Sequence, residues 1–282
     1  MSLTLDLTHL VSYRIGASSQ IDAIAALSGT AAGMRHFVPG FLPCGECGAC
    51  RRALVGACAS PRRPLHAALS EGAASLDLPA RFVVPIDEPT DAAILDPSVA
   101  ALGGPIAFAL FALASANVVP GDVTLWVGDG PLVDLGVLVS QTAGAQALGI
   151  SSRTSPTSVR VETGAPGESH GNRKRVLFLV GNNEAAWALA KHLGEPGAVI
   201  VQVGDRSGAG HLPLMDLPTE ARLICLSTYH PDFLPEAFAA LRRDPNLARA
   251  VVVHTVAAES NGSTGSLVRL TIESVSNTPP PA

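Results

Sequence analysis

The chain has 282 residues, a formal net charge of −5, 47% apolar residues and only 15% charged ones. That length can bury one large core or two modest ones. The acidic balance argues against a protein that holds nucleic acid by general phosphate attraction, and the Ala-, Gly- and Val-rich composition reads as a globular α/β protein.

Taken in order, LTLDLTHLVSY (residues 3–13) alternates apolar and polar side chains over a few positions as an edge strand would, and the first residues lack the basic-then-apolar pattern of a secretory leader. A cytoplasmic location, where thiols stay reduced, is therefore expected. Residues 21–33 (IDAIAALSGTAAG) read as a short helix stopped by glycine. Next come four of the five cysteines, in LPCGECGACRRALVGAC. Cys44, Cys47, Cys50 and Cys58 follow the spacing C-x2-C-x2-C-x7-C. Three thiolates can gather round one point from a tight turn, and the longer excursion returns the fourth. Four sulfurs close the shell of a tetrahedral Zn²⁺ and leave no open position, which makes a structural site. Reduced free thiols or two disulfides are the competing readings, and zinc is preferred for this spacing inside a cell. The pairs Arg51-Arg52 and Arg62-Arg63 beside the cysteines read as ordinary solvated charge.

An apolar strand is expected at 82–85. Asp96-Pro97 suits a helix start, with the acid as cap. Residues 99–119 carry no formal charge and are long enough to imitate a membrane span. Gly103-Gly104-Pro105 interrupts them, and no basic flank or aromatic belt marks their ends, so a helix buried at a domain junction is the preferred reading. Pro120-Gly121-Asp122 is a turn, 123–127 a fully buried strand, and Gly128-Asp129-Gly130 a glycine turn. The following helix should turn Leu132, Leu135 and Val139 inward. Residues 149–174 are polar and read as a loop with one short strand at SVRVET. A strand at 176–180, a helix at 184–193 and a strand at 198–203 follow. Then come a strand (ARLICLSTY), a helix (PEAFAALRRDPNLAR), two further strands (AVVVHTV and LVRLTIESV) and a disordered tail, SNTPPPA.

The stretch GMRHFVPGFLPCGECGAC resembles the zinc-containing medium-chain alcohol dehydrogenases, in which a Gly-Asp-Arg strand precedes the structural zinc lobe. Gly33 and Arg35 match, with Met34 in place of the acid, and all four cysteines match the lobe. The glycine turn and the second strand–helix–strand unit match the family's nucleotide fold, so the resemblance covers roughly residues 33–275 with a gap in the middle. It implies a Rossmann-type doubly wound parallel sheet with a reduced N-terminal β-rich domain carrying the lobe. Residues 1–90 would form a shortened catalytic-type domain, 91–255 the nucleotide-binding domain, and 256–282 a closing strand and tail. It further implies NAD or NADP as cofactor and a homodimer formed through sheet edges, or a partner subunit.

The family's reactive parts are mostly missing. A catalytic zinc needs an open coordination position, and its usual ligands lie upstream of the lobe. Here no cysteine precedes Cys44, and no Gly-His-Glu occurs. His9 and His36 stand without partners at ligand spacing. The dinucleotide fingerprint G-x-G-x-x-G has Val133 at its third glycine and Asp129 beside the pyrophosphate position. No acid lies about twenty residues past Gly128 to grip a ribose. Ser152 and Arg153 stand there instead and would suit a 2′-phosphate, favouring NADP; ordinary loop residues are an equal reading. Cys225 and His254 read as core residues. Ser227, Thr228, Tyr229 and His230 form a polar group at a strand end, where Tyr229 could serve as an acid. Two functions follow: an NAD(P)-dependent oxidoreductase working without catalytic zinc, or an inactive relative kept as a structural or regulatory subunit.

Overall fold

The computed structural model describes residues 2–14, 21–27, 35–71, 73, 75–86, 97–150, 174–181, 184–204, 217–244, 247, 251–260 and 266–274. The chain divides into two compact units, Ala109–Ser227 and the remainder on either side of it. In chain order the first unit holds β1 (Ser2–Arg14), β2 (Ile21–Leu27), β3 (Arg35–Val38), α1 (Pro64–Glu71), β4 (Ser75–Pro79), β5 (Val84–Pro85) and α2 (Pro97–Ala100). The boundary falls inside α3 (Gly103–Ser115). The second unit adds β6 (Val123–Val127), α4 (Pro131–Thr142), β7 (Gln146–Ile150), β8 (Arg175–Val180), α5 (Glu184–Leu193), β9 (Val199–Val203) and β10 (Arg222–Leu226). The chain then rejoins the first unit with α6 (Leu234–Arg243), β11 (Val251–Ser260) and β12 (Ser266–Ser274).

The second unit is a five-stranded sheet in the order β10-β9-β8-β6-β7, with every pair parallel. Its central strands VTLWV, RVLFLV and VIVQV are near-continuous apolar runs because helices cover both faces. On one face Leu125, Leu177 and Ile200 pack in a cluster with Trp187 and Leu189 of α5. On the other, Trp126 stacks on Phe178 at 4.3 Å, and its Nε1 donates to Ser140 Oγ of α4 at 2.9 Å. The connection from β6 through α4 leads to β7 on one side, and that from β8 through α5 leads to β9 on the other. The direction of growth therefore reverses between β6 and β8, which opens a crevice at the carboxyl ends of those two strands.

The charge-free stretch forms α3, and among the described residues no helix is long and apolar enough to cross a membrane. Its C-terminal carbonyls are met by cations: Lys174 Nζ donates to Ala116 O and Asn117 O, and Arg222 Nη2 to Ser115 O at 2.9 Å. Partial burial holds the Lys174 ammonium below its ordinary value.

The first unit contains an antiparallel sheet in the order β4-β1-β2-β3-β5. The expected helix at 21–33 gives way over its described part, since Ile21–Leu27 is strand β2; residues 28–33 lie outside the described residues. Although IDAIAAL favours a helix by composition, this segment pairs with β1 on one side and β3 on the other. Two ladders satisfy its backbone groups, and tertiary pairing outweighs an intrinsic preference of a few tenths of a kcal/mol (~0.5) per residue. A core of Leu5, Val38, Leu42, Leu65, Leu78 and Phe82 lies against this sheet. β11 pairs antiparallel with β12 in a separate two-stranded sheet, so AVVVHTV does not extend the parallel sheet.

Candidate metal centre and nucleotide crevice

The cysteine lobe hangs between Leu42 and Arg62, which face each other in an antiparallel bridge with two backbone hydrogen bonds of 2.9 Å. Between these posts the chain makes two short 3₁₀ turns, Cys50–Arg52 and Val55–Ala57, and Val55 is buried as the anchor. Gly45 has φ +79°, a conformation that suits glycine where the first knuckle turns. The four sulfurs converge to within 4.8 Å of one another, and Cys44 Sγ lies 3.8 Å from Cys50 Sγ. A tetrahedral ion with Zn–S bonds of about 2.3 Å sets its sulfurs about 3.8 Å apart, so this donor set fits Zn²⁺.

Backbone amides stabilise charge on those sulfurs. Cys47 N donates to Cys44 Sγ at 3.4 Å, Cys50 N to Cys47 Sγ at 3.5 Å and Cys44 N to Cys58 Sγ at 3.3 Å. Hydrogen bonds from the backbone of Ala59 and then Cys50 bring the Cys47 thiol down to about 6. Those from Glu46 and Cys47 lower Cys44, while desolvation, with the neighbouring sulfurs adding to it, pushes Cys50 up to about 12. A bound divalent ion deprotonates all four.

The crevice of the parallel sheet is built on glycines. Gly128 ends β6 with φ +148°, and a Cβ placed on it would meet the Val180 carbonyl oxygen at 2.5 Å. The turn therefore lies close against β8. Gly130 has φ +102° and open space where a Cβ would be, so a ligand can approach the backbone there. Pro131 begins α4 directly after it, with its fixed φ suited to a first helical position. The turn thus presents the Gly130 backbone at a helix N-terminus, the arrangement that receives pyrophosphate in dinucleotide folds, although Asp129 beside it adds a carboxylate that opposes an anion.

Val133 does not spoil this packing. It is buried opposite Gly149 of β7, where an added Cβ would meet Val133 Cγ1 at 3.2 Å. One turn further on, Gly136 lies over Trp126, with a built Cβ only 2.3 Å from the indole. Close helix–sheet approach is kept by moving the small residue from the third fingerprint position to Gly136 and Gly149. The inner face of α4 is correspondingly Val133, Leu135, Gly136 and Val139, with Leu132 only half-buried.

No known family profile matches the chain, and no curated protein matches it in sequence. Solved structures do match in shape. An oxidoreductase/dehydrogenase of unknown specificity from Escherichia coli is 16% identical with a TM-score of 0.64, over 86% of this chain and 80% of that one. An alcohol dehydrogenase from Thermus sp. ATN1 is 18% identical with a TM-score of 0.60, over 89% and 84%. Acetophenone reductase from Geotrichum candidum NBRC 4597, solved with NAD, is 13% identical with a TM-score of 0.54, over 95% and 89%. The chain shares the fold of these dehydrogenase and reductase structures.

Within that fold the remaining candidates separate. Among the described residues, the cysteine cluster is the one group of three or more His, Cys, Asp or Glu placed to hold a metal. His36 is buried on β3, paired in register with Pro85. Tyr229 is buried and donates to Asp22 Oδ1 at 2.9 Å, while Gly40 N donates to the same oxygen at 2.8 Å. Gly104 leaves room for that carboxylate at the start of α3, where a Cβ would lie 2.6 Å from Asp22 Oδ2. Tyr229 is therefore a structural tie. Tyr229→Phe should lower stability by about 2 kcal/mol, read as a denaturant midpoint, because it removes a buried hydrogen bond to a carboxylate. His230 turns elsewhere: its Nδ1 accepts from Asp232 N at 3.3 Å, so the two neighbours do not act together. Cys225, read as core, is exposed because β10 is the edge strand. Ser152, Arg153 and Asp96, and the side chains of His9 and His254, lie outside the described residues.

Sequence reasoning missed Asp22, Gly136 and Gln202. The signals were present as a lone acid in an apolar segment, a glycine on the inner face of a helix, and a glutamine inside VIVQV.

Proposed function

We propose that this chain is an NAD(P)-binding oxidoreductase of the medium-chain type, with one structural Zn²⁺ held by Cys44, Cys47, Cys50 and Cys58 and no catalytic zinc of the usual kind. The observation that carries the reading is the bare turn Gly128–Gly130, pressed against β8 at the point where the sheet reverses and capped by the start of α4. Those residues fit a pyrophosphate. The nicotinamide, when bound, supplies or receives the hydride exchanged with an alcohol–carbonyl pair. The chain's part is to hold the phosphates at Gly128 and Gly130 and to set the two halves of the cofactor on either side of the switch point. Ser152 and Arg153 follow β7, where the ribose is read, and favour the 2′-phosphate of NADP. A homodimer is the expected assembly.

Titration with NADPH and NADH, followed by nicotinamide fluorescence, tests the reading. Micromolar binding of NADPH and weaker binding of NADH are expected, and absence of both at millimolar concentration rejects it. A second reading, an inactive scaffold, is favoured by one specific observation: Tyr229, the candidate acid, is buried against Asp22. It predicts dinucleotide binding lost or retained without hydride transfer to any of a panel of aldehydes and ketones.

A further inference from the structure

The side chain of Gln202 makes only half of its hydrogen bonds. It lies on β9, is 2% exposed, and its Nε2 donates to the Gly181 carbonyl oxygen. Among the described residues its Oε1 has no hydrogen-bond partner, and it is closed off from solvent. The amide cannot be turned over to cure this, because oxygen would then face oxygen at Gly181. Every other residue of VIVQV is apolar, and Leu or Met would fill the same space. Folded chains seldom keep a buried acceptor without a donor unless something else uses it.

Its place suggests the use. Parallel register sets Gln202 beside Leu179 of β8 and Cys225 of β10, all on one side of the sheet. The amide reaches the turn that ends β8, and the Val180 carbonyl just before that turn lies under Gly128. The orphan oxygen is therefore at the carboxyl edge, on the β8–β9 side of the switch point.

We infer that Gln202 Oε1 accepts an N–H from the nicotinamide carboxamide of the bound dinucleotide, an inference that rests on the reading of the crevice given above. A dinucleotide anchored by its pyrophosphate at Gly128 and Gly130 sends one half towards β7 and the other across β8 and β9. In the second half the carboxamide is the amide donor. The Gln202 Nε2 bond to Gly181 is kept while the oxygen takes the ligand's N–H, so binding adds one hydrogen bond. The residue then distinguishes a carboxamide from a ketone of the same shape.

The test uses the zinc-loaded full chain, Gln202→Met, and two ligands: NADPH and its 3-acetylpyridine analogue, which has a methyl ketone and no N–H. The wild-type chain should prefer NADPH about tenfold, the worth of one buried hydrogen bond. Gln202→Met should weaken NADPH about tenfold, leave the analogue unchanged and erase the preference. An unchanged ratio in the variant overturns the assignment. Cys225 gives a second readout. It is exposed beside Gln202, and the other four of the five cysteines are occupied by the metal. Saturating NADPH should slow its alkylation several-fold in the wild type, and undiminished alkylation also overturns the placement. The thermal midpoint of Gln202→Met should equal or exceed that of the wild type; a marked drop would assign Gln202 to holding the Gly181 turn instead. If the wild type binds neither dinucleotide, the crevice reading and this inference fall together. If it binds NADPH without the preference, only the role of Gln202 falls.

Discussion

Cys47→Ser should empty the lobe: zinc measured by elemental analysis falls from one per chain to none. Cys47 is central to the knuckle, since its amide donates to Cys44 Sγ while its own sulfur accepts from Cys50 N. A serine oxygen is a poor substitute for a thiolate, and three remaining sulfurs leave the tetrahedral shell open. Isolated zinc-finger peptides owe about 10–16 kcal/mol of folding free energy to their metal. In this chain the loss should stay local, because between the Leu42 and Arg62 posts only Pro43 and Val55 are well buried and the bridge Leu42–Arg62 closes the base. Trypsin should then cut at Arg51, Arg52 and Arg62, all exposed already, but not after Arg63, which precedes Pro64. Both tryptophans of the chain, Trp126 and Trp187, belong to the parallel-sheet unit, so their fluorescence reports that unit alone. Its unfolding midpoint should not move. A fall together with zinc loss would show that the lobe supports more of the molecule than its own loop.

Gly136→Ala should destabilise the parallel-sheet unit by about 2 kcal/mol or more. In an ordinary helix this substitution gains about 1 kcal/mol, since alanine has the higher propensity. Here the new methyl would sit 2.3 Å from the Trp126 indole. That ring cannot step aside, because it stacks on Phe178 and its N–H is bonded to Ser140. Steric overlap therefore outweighs propensity, and the sign reverses. Gly48→Ala is the control: it has ordinary φ and nothing within 4 Å, so no change is expected. Gly130→Ala separates the two meanings of a fingerprint glycine. Its added methyl meets open space, so stability should fall only by the backbone cost of φ +102° and ψ 175°, roughly 1–3 kcal/mol, while dinucleotide affinity should suffer. Tryptophan-monitored denaturation and NADPH titration of the same three variants would settle both points.

Much of the second unit was legible because its signals are strong and local. Buried parallel strands read as unbroken apolar runs, and the helix Glu184–Leu193 is stopped by Gly194 as expected. The lobe was legible because metal geometry confines thiolates to a few spacings. Legibility failed where long-range pairing decided. Ile21–Leu27 has the composition of a helix and became a central strand between β1 and β3. Cys225 sits in an apolar run and was read as core, yet an edge strand exposes one of its faces. Val133 looked like a broken fingerprint, but packing between a helix and a sheet depends on where small residues meet, and Gly136 and Gly149 supply them.

The sequence by itself determined the cluster of four cysteines and the parallel nucleotide-type architecture, since both follow from short-range patterns: cysteine spacing in one case, strand and helix patterning in the other. Only the tertiary structure decided that Tyr229 is tied to Asp22 and that Gln202 brings an unpaired oxygen to the crevice edge. The physical reason is the same for both. Asp22 and Tyr229 lie far apart in the chain, and Gln202 reaches Gly181 at the end of the neighbouring strand. Whether such a polar group is satisfied depends on what folding places beside it, which no local pattern encodes.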